Sequence, residues 1–241
     1  MRVWGVCCAV ALMVACGTNP LSRKYEYEEE MYVDLDGSAT VYVNAAVPAL
    51  IALRGVNLPL DPSARLDRDA VRALFDSPVS RVANVSTSRR DGRRYVHLRL
   101  EVDDLRRLGA SPMFAWSTYR FDVRGDAAEY AQKVGAASGR AIGEVGWTGR
   151  ELVAFRLHLP SRVTFHNSPS REVLRGNIIA WEQPLADRRK GTPIDIEVRM
   201  ASGSILAHTL LLFGAMIVLV AVSFALFIWF IKSRGATDPA A

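Results

Sequence analysis

The segment from His166 to Leu185 contains the residue types of a general acid–base pair. It reads HNSPSREVLRGNIIAWEQPL, with His166 among turn-forming residues and Glu182 on an apolar stretch closed by Pro184. Histidine and glutamate can exchange protons with a substrate when a turn and a neighbouring strand hold them within hydrogen-bonding reach. No spacing in the sequence requires that contact. A hydrolase using His166 and Glu182 is therefore kept only as an alternative.

Other catalytic patterns are missing from the sequence. It has no Gly-x-Ser-x-Gly motif, and the glycine-rich GAASGRA lacks the Lys-Ser/Thr of a phosphate-binding loop. The three cysteines, Cys7, Cys8 and Cys16, all lie near the N-terminus, so the rest of the chain has no thiol for catalysis or metal binding. We expect no enzymatic activity, no cofactor and no metal site.

The N-terminus has the layout of a lipoprotein signal peptide. Arg2 precedes an apolar stretch that is shorter than the ~20 residues of a membrane span. Val14-Ala15-Cys16 resembles a lipobox, although Met13 stands where a lipobox usually has leucine. We predict that residues 1–15 are removed and that Cys16 is acylated and bears palmitate. Residues 16–30 then form a tether and the start of the first strand.

The C-terminal region predicts a single transmembrane helix within residues 205–231. Thr209 to Ile231 is a run of 23 residues without a charge, which makes ~34 Å of helix against a hydrocarbon core of ~30 Å. Lys232 and Arg234 follow directly, so residues 232–241 should form a cytoplasmic tail. An exported domain at 31–204 would then be held flat against the cytoplasmic membrane by Cys16 and the helix.

The exported region predicts an α+β fold with a mainly antiparallel sheet. Apolar and polar residues alternate in several segments, and Asp36-Gly37 joins two of them in a hairpin. Asn44 and Asp67 are expected to cap two short helices, and Asp103 a third. Residues 126–147 suggest a flexible loop, and Glu28-Glu29-Glu30 a solvated strand start.

Two basic segments and one apolar helix suggest a site for an anionic lipid. Residues 89–94 (RRDGRR) and 188–190 (RRK) are expected at hairpin tips, where arginine suits bidentate contacts with phosphate. The helix AAVPALIALR is apolar nearly all round, so it is either buried or closes an apolar pocket. The candidate binding residues are Arg89, Arg90, Arg93, Arg94, Leu50, Ile51 and Trp181.

The layout of nearly the whole chain resembles LppM-type bacterial lipoproteins. The resemblance rests on the lipobox leader, the Asp36-Gly37 turn, Gly176-Asn177 followed by Trp181, and one C-terminal span. It implies an exported domain similar to lipid-binding folds and a role with envelope lipids or glycolipids. No catalytic residues come with the resemblance.

Three functions follow as hypotheses. The leading one is a non-enzymatic module that binds a lipid or glycolipid at the outer face of the membrane. The second is a scaffold that assembles an envelope protein complex through an exposed sheet edge, with an unknown protein partner. The third is the hydrolase already described. Nucleic acid is not an expected partner, because an exported domain does not meet it.

Overall fold

The computed structural model describes residues 24–203 and 205–235, which form two β-sheets, short helices and one long C-terminal helix. This confirms the α+β fold with a mainly antiparallel arrangement. The predicted cleavage and acylation at Cys16 lie outside the described residues, as do positions 236–241 of the predicted tail.

Ten strands build the two sheets. They are β1 (Tyr25–Val33), β2 (Ala39–Ala46), β3 (Arg81–Arg90), β4 (Arg93–Val102), β5 (Ser117–Arg124), β6 (Ala127–Val134), β7 (Leu152–His158), β8 (Val163–His166), β9 (Ile178–Pro184) and β10 (Ile194–Ala201). The larger sheet has the order β3-β4-β2-β1-β7-β9, and the smaller has the order β5-β6-β10-β8. Strands β1 and β7 are parallel, whereas the other neighbouring pairs of these sheets are antiparallel.

Short helices connect the strands. They are α1 (Val47–Arg54), α2 (Arg68–Phe75), a 3₁₀ helix (Leu105–Ala110) and α3 (Leu185–Arg189), and α4 (Ile205–Gly235) follows the last strand. The Asp67 carboxylate accepts from the backbone N–H of Asp69 and Ala70, which confirms the predicted cap of α2.

The predicted caps of the other two helices were wrong. Helix α1 begins after Ala46 without a side-chain cap, because Asn44 lies in β2 and bonds its strand neighbours instead. At the 3₁₀ helix the capping carboxylate belongs to Asp104, which accepts from the N–H of Arg106, and not to Asp103.

The hydrophobic core lies between the two sheets. The Tyr27 ring meets Trp116 edge-on at 5.4 Å between centroids, and the Tyr130 hydroxyl is 3.5 Å from the Met31 sulfur. Glu29 projects into this core from β1 and is almost fully buried. The expectation that Glu28-Glu29-Glu30 is solvated was therefore wrong for Glu29, because β1 is a central strand whose alternate side chains face the second sheet.

Residues 135–147, here called the strap, cross the C-terminal turn of α1. The backbone N–H of Ser138 donates to the Leu53 carbonyl at 3.1 Å, and that of Arg140 donates to the Ile51 carbonyl at 3.3 Å. The expectation of a flexible loop over 126–147 was wrong, because its first part is β6 and the strap is hydrogen-bonded to α1.

The second basic segment is not a hairpin tip. Arg188 and Arg189 lie in α3, and the Arg188 side chain is fully buried with its guanidinium donating to the Gly135 carbonyl. The prediction of a solvated tip at 188–190 was wrong, because α3 packs its Arg188 beneath the start of the strap.

The sheets have two opposite ends, here called the hairpin end and the exit end. The hairpin end carries the β3–β4 turn at Asp91-Gly92 and Lys24, whose carbonyl accepts from the N–H of Leu152. The exit end carries Gly203, where the chain leaves β10 for α4; the Gly203 carbonyl accepts from the Ser161 hydroxyl at 2.7 Å. Since β1 runs from the first end to the second with nine residues, the two ends are about 26 Å apart.

Helix α4 is long and apolar enough to cross a membrane. The stretch Thr209–Lys232 has 24 residues and a mean hydropathy of 2.8, and none of its most apolar part is buried within the described chain. Its length matches the hydrocarbon core of a bilayer.

Candidate ligand-binding site

The four hairpin arginines occupy two different environments. Arg89 and Arg90 are exposed, whereas Arg93 and Arg94 are only 8% and 5% exposed. Asp91 and Gly92 both have positive φ, at 50° and 72°, which gives the tight turn expected of an Asp-Gly hairpin. The alternation along β4 does not account for two consecutive buried arginines; both are covered by segments that pack on the hairpin from elsewhere in the chain.

Arg93 ties the first strand to the hairpin and the strap. Its guanidinium pairs with the fully buried Glu26 at 2.9 Å and donates to the carbonyls of Val145 and Gly146. Glu26 also accepts from the Tyr95 hydroxyl and the Trp147 indole N–H, at 2.9 and 3.2 Å. Arg93 is therefore a structural residue, and removing it would leave Glu26 without its ion-pair partner.

Arg94 holds the segment between α1 and α2 against the hairpin. Its guanidinium donates to the Ala64 carbonyl at 2.6 Å and to the Pro59 carbonyl. Burial lowers the pKa of Arg94, and the neighbouring Arg89 lowers it further. An anion near the two side chains would relieve this repulsion.

A basic groove of about 910 Å³ lies on one side of Arg94. The start of α2 and the end of β3 form its walls, and its cationic side chains are Arg65, Arg68, Arg89 and Arg94. Asp67 and Asp69 also line it, but the Asp67 carboxylate is engaged in capping α2. Arg65, Arg68 and Arg89 form no ion pair within the described part of the chain, so their guanidinium groups are available to an anion.

Arg94 also lines a smaller pocket of about 420 Å³, here called the mixed pocket. Its apolar lining comes from Val47 and Pro48 of α1, from Leu60 and Pro62, and from Val145 of the strap. Its charged lining is Asp61, Asp91, Arg93, Arg94 and Glu144. Leu60 is 40% exposed, so its side chain is accessible to a ligand in this pocket.

The other predicted binding residues lie elsewhere. Leu50 and Ile51 are fully buried in the core and line neither the basic groove nor the mixed pocket. Trp181 is also buried, and its indole N–H donates to the Asn167 side chain at 3.0 Å. These three residues stabilise the fold.

His166 and Glu182 lie in different sheets. Glu182 accepts from the Tyr25 hydroxyl at 2.6 Å and lines a groove on the outward face of the larger sheet; His166 does not line that groove. Within residues 24–203 and 205–235, no group of three His, Cys, Asp or Glu side chains could hold a metal ion. The absence of enzymatic activity stays a prediction.

A second cluster of charged residues is sealed between the sheets. The Arg54 guanidinium lies over the Trp116 ring at 4.1 Å, and that of Arg188 lies 5.5 Å from the same ring. Burial lowers the pKa of both arginines, and Arg54 lowers that of Arg188 further. Glu29 lies near Arg54 and accepts from Tyr27 and Gln132. Neither the basic groove nor the mixed pocket is lined by residues of this cluster.

Arg65 and Arg68 were not identified from the sequence. They flank the Asp67 cap at the start of α2, and nothing in the local pattern places them opposite Arg89. Their role depends on how the segment before α2 folds back on the hairpin through Arg94.

No protein-family model matches the chain, and no curated protein matches it. Among solved structures, the chain is similar to the folded domain of LppM from Mycobacterium tuberculosis, determined by NMR. The match has a TM-score of 0.40 and 14% sequence identity, and it covers 76% of this chain and 94% of that one. This is a weak structural resemblance.

Proposed function

We propose that the chain is a membrane-anchored envelope lipoprotein whose folded domain binds an anionic amphiphile, a lipid or glycolipid, without catalysing a reaction. The observation that carries this proposal is that Arg94 lines both the basic groove and the mixed pocket. A phosphate-bearing head group fits the arginines of the groove, and an acyl chain fits the apolar lining of the pocket.

The anchors support the same proposal. Helix α4 is long and apolar enough for a single span, and Lys232 and Arg234 after it favour a cytoplasmic C-terminus. The lipobox-like Val14-Ala15-Cys16 supports an exported domain with a lipid at Cys16. A domain on that side of the cytoplasmic membrane is surrounded by anionic envelope lipids.

The test uses the purified full chain in a neutral detergent and a short-chain lipid below its micelle concentration. We expect isothermal titration calorimetry to detect binding of dihexanoyl phosphatidylglycerol to the chain. Binding of dihexanoyl phosphatidylcholine should be weaker. The double variant Arg65→Ser/Arg68→Ser should weaken binding of phosphatidylglycerol by at least about tenfold, because it removes two charged contacts to the phosphate. Both side chains are exposed, so this change should leave the fold intact.

The control is Arg99→Ser/Arg120→Ser, which removes two exposed arginines outside the groove. It should bind phosphatidylglycerol like the unmodified chain. A second variant, Leu60→Ser, should reduce the gain in affinity between dibutanoyl and dihexanoyl phosphatidylglycerol, because the longer chains bury more methylenes in the mixed pocket. The proposal would be overturned if phosphatidylglycerol did not bind, or if the control variant lost as much affinity for it as Arg65→Ser/Arg68→Ser. Either result would favour the scaffold hypothesis.

A further inference from the structure

The exit end of the domain lies beside the start of the proposed membrane span. One residue separates Gly203 from the first residue of α4, Ile205, which is a distance of at most about 7 Å. The four helical residues before Thr209 add about 6 Å. The exit end is therefore within roughly 13 Å of the apolar run, and the head-group layer on each side of a bilayer is about 5–8 Å thick.

Hydrogen bonds place two connections around the exit point. The N–H of Ser202 donates to the Asp126 carbonyl in the β5–β6 turn at 2.8 Å. The N–H of Ala201 donates to the Arg162 carbonyl, between β7 and β8, at 3.0 Å. The two connections are therefore held at the end of β10, beside its last pairs with β6 and β8.

A third connection, the loop before β9, reaches the same end. The N–H of Leu159 donates to the Asn177 carbonyl at 3.2 Å, and Leu174 forms a backbone bridge with Ile178. The turn at residues 175–177 is therefore next to the end of β7. Asn177 has a left-handed φ of 56°, which closes this turn sharply.

Apolar side chains are exposed on these connections. Val123, just before the β5–β6 turn, is 48% exposed, and Val173 and Leu174 are 44% and 49% exposed. Arg124 follows Val123 and Arg175 follows Leu174 in sequence, and Arg162 lies in the connection that is hydrogen-bonded to Ala201. Asp122, Asp126 and Glu172 are the acidic residues nearby in sequence. Arg162 and Arg175 form no ion pair within the part of the chain that the structure describes.

We propose that this surface, made of Val123, Arg124, Arg162, Val173, Leu174 and Arg175, docks into the head-group layer of an anionic phospholipid bilayer. The inference rests on the span proposed for α4. The apolar side chains enter the boundary between head groups and acyl chains, and the arginines contact phosphates, as in other interfacial segments. The domain then stands on its exit end, and the basic groove is carried at the opposite end.

The experiment places the photoreactive amino acid benzoylphenylalanine in the full chain, reconstituted in nanodiscs of phosphatidylglycerol and phosphatidylcholine. Substitution at Val123 or at Leu174 should give lipid adducts after illumination, detected by mass spectrometry of the peptides. Substitution at Arg150, which is exposed at the hairpin end close to the start of β7, should give at least about fivefold fewer adducts.

The variant Val173→Asp/Leu174→Asp changes two exposed side chains and should keep the fold. It should lower the lipid adducts at position 123 by several fold, because the surface no longer enters the bilayer. Equal adducts at positions 123, 174 and 150, or none at 123 and 174 in chains that co-purify with the nanodisc, would overturn the docking surface. Failure of the chain to enter nanodiscs would overturn the span and the docking together, whereas phosphatidylglycerol binding at the groove is measured separately in detergent.

Discussion

Glu29 has its carboxyl group inside the core, where it contacts tyrosines of both sheets. The Tyr27 hydroxyl donates to it at 3.1 Å and the Gln132 amide at 3.2 Å. Burial raises the pKa of Glu29, and the nearby Arg54 and the hydrogen bonds oppose this only in part. The same burial, with the Glu29 charge, raises the pKa of Tyr27, Tyr119 and Tyr130. The cluster is thus a place where protonation and stability are linked.

The first prediction concerns the pH dependence of stability. Between the ordinary carboxyl pKa of 4.5 and its raised value in the fold, the folded domain keeps a proton that the unfolded chain releases. Stability therefore falls as the pH rises through this range. Glu29→Gln removes the titrating group. The melting temperature of the variant minus that of the unmodified chain should therefore rise by a few degrees between pH 4 and pH 7.

The measurement is thermal unfolding of the full chain in detergent at a series of pH values, followed by tryptophan fluorescence. Glu129→Gln serves as the control, because Glu129 lies on the outward face of the smaller sheet and pairs with Arg199 in solvent. Its difference from the unmodified chain should not follow this trend. A pH-independent difference for Glu29→Gln would contradict the proposed linkage.

At the scale of elements, the strap is hydrogen-bonded to α1 and forms part of the mixed pocket. It donates two backbone hydrogen bonds to α1, supplies Val145 to the pocket lining, and receives the Arg93 guanidinium on its carbonyls. Small residues in the strap allow its backbone to come close to α1. A Cβ added to Gly139 would lie 1.8 Å from the Ala52 carbonyl oxygen.

We expect Gly139→Ala to push the strap away from α1 and to lower the unfolding free energy by about 1–3 kcal/mol. This corresponds to a fall in melting temperature of several degrees. Gly143→Ala is the matched control, since a Cβ there meets nothing within 4 Å. Equal melting temperatures for the two variants would show that the close contact of Gly139 with α1 does not contribute to stability.

Much of the fold could be predicted from local patterns, but only part of the site could: Arg89 and Arg94 were candidates from the sequence, whereas Arg65 and Arg68 were not. The Asp36-Gly37 and Asp91-Gly92 turns, the Asp67 cap and the alternation of β2 and β4 are encoded by neighbours in sequence. The burial of Glu29 and Arg188 depends on which elements pack over them. The spacing of residues near them in sequence does not indicate this. The basic groove combines Arg65 and Arg68 with the hairpin through the same kind of long-range packing.

At the scale of the whole molecule, the segments that lead to the two predicted attachment points join the domain at opposite ends of the sheets. Lys24, which pairs with Asp91 at 3.5 Å, lies at the hairpin end, and the chain passes from β10 to α4 at the exit end. The eight residue steps from Cys16 to Lys24 span at most about 29 Å. This length slightly exceeds the distance of about 26 Å between the two ends of the sheets. A lipid at Cys16 can therefore reach the bilayer while the domain stands on its exit end, and the domain need not lie flat on the membrane.

We predict that deleting residues 19–22 pulls the hairpin end down to the membrane, because the remaining steps span about 14 Å. Lipid adducts of benzoylphenylalanine at Arg150 should then increase severalfold. Adding Cys16→Ser to the deletion should abolish the increase, since the lipid anchor is lost. Adducts that do not change on deletion would mean that Cys16 does not tether the domain.

The parallel pairing of β1 with β7 also sets the order in which the domain can be completed. The β1–β2 and β3–β4 pairs are hairpins of near neighbours in sequence, whereas β1 meets β7 more than one hundred residues later. Contacts this distant in sequence slow folding, because a long segment must be closed into a loop before they form. During synthesis from the N-terminus, the larger sheet therefore stays open along one edge of β1 until β7, which ends at His158, has been made.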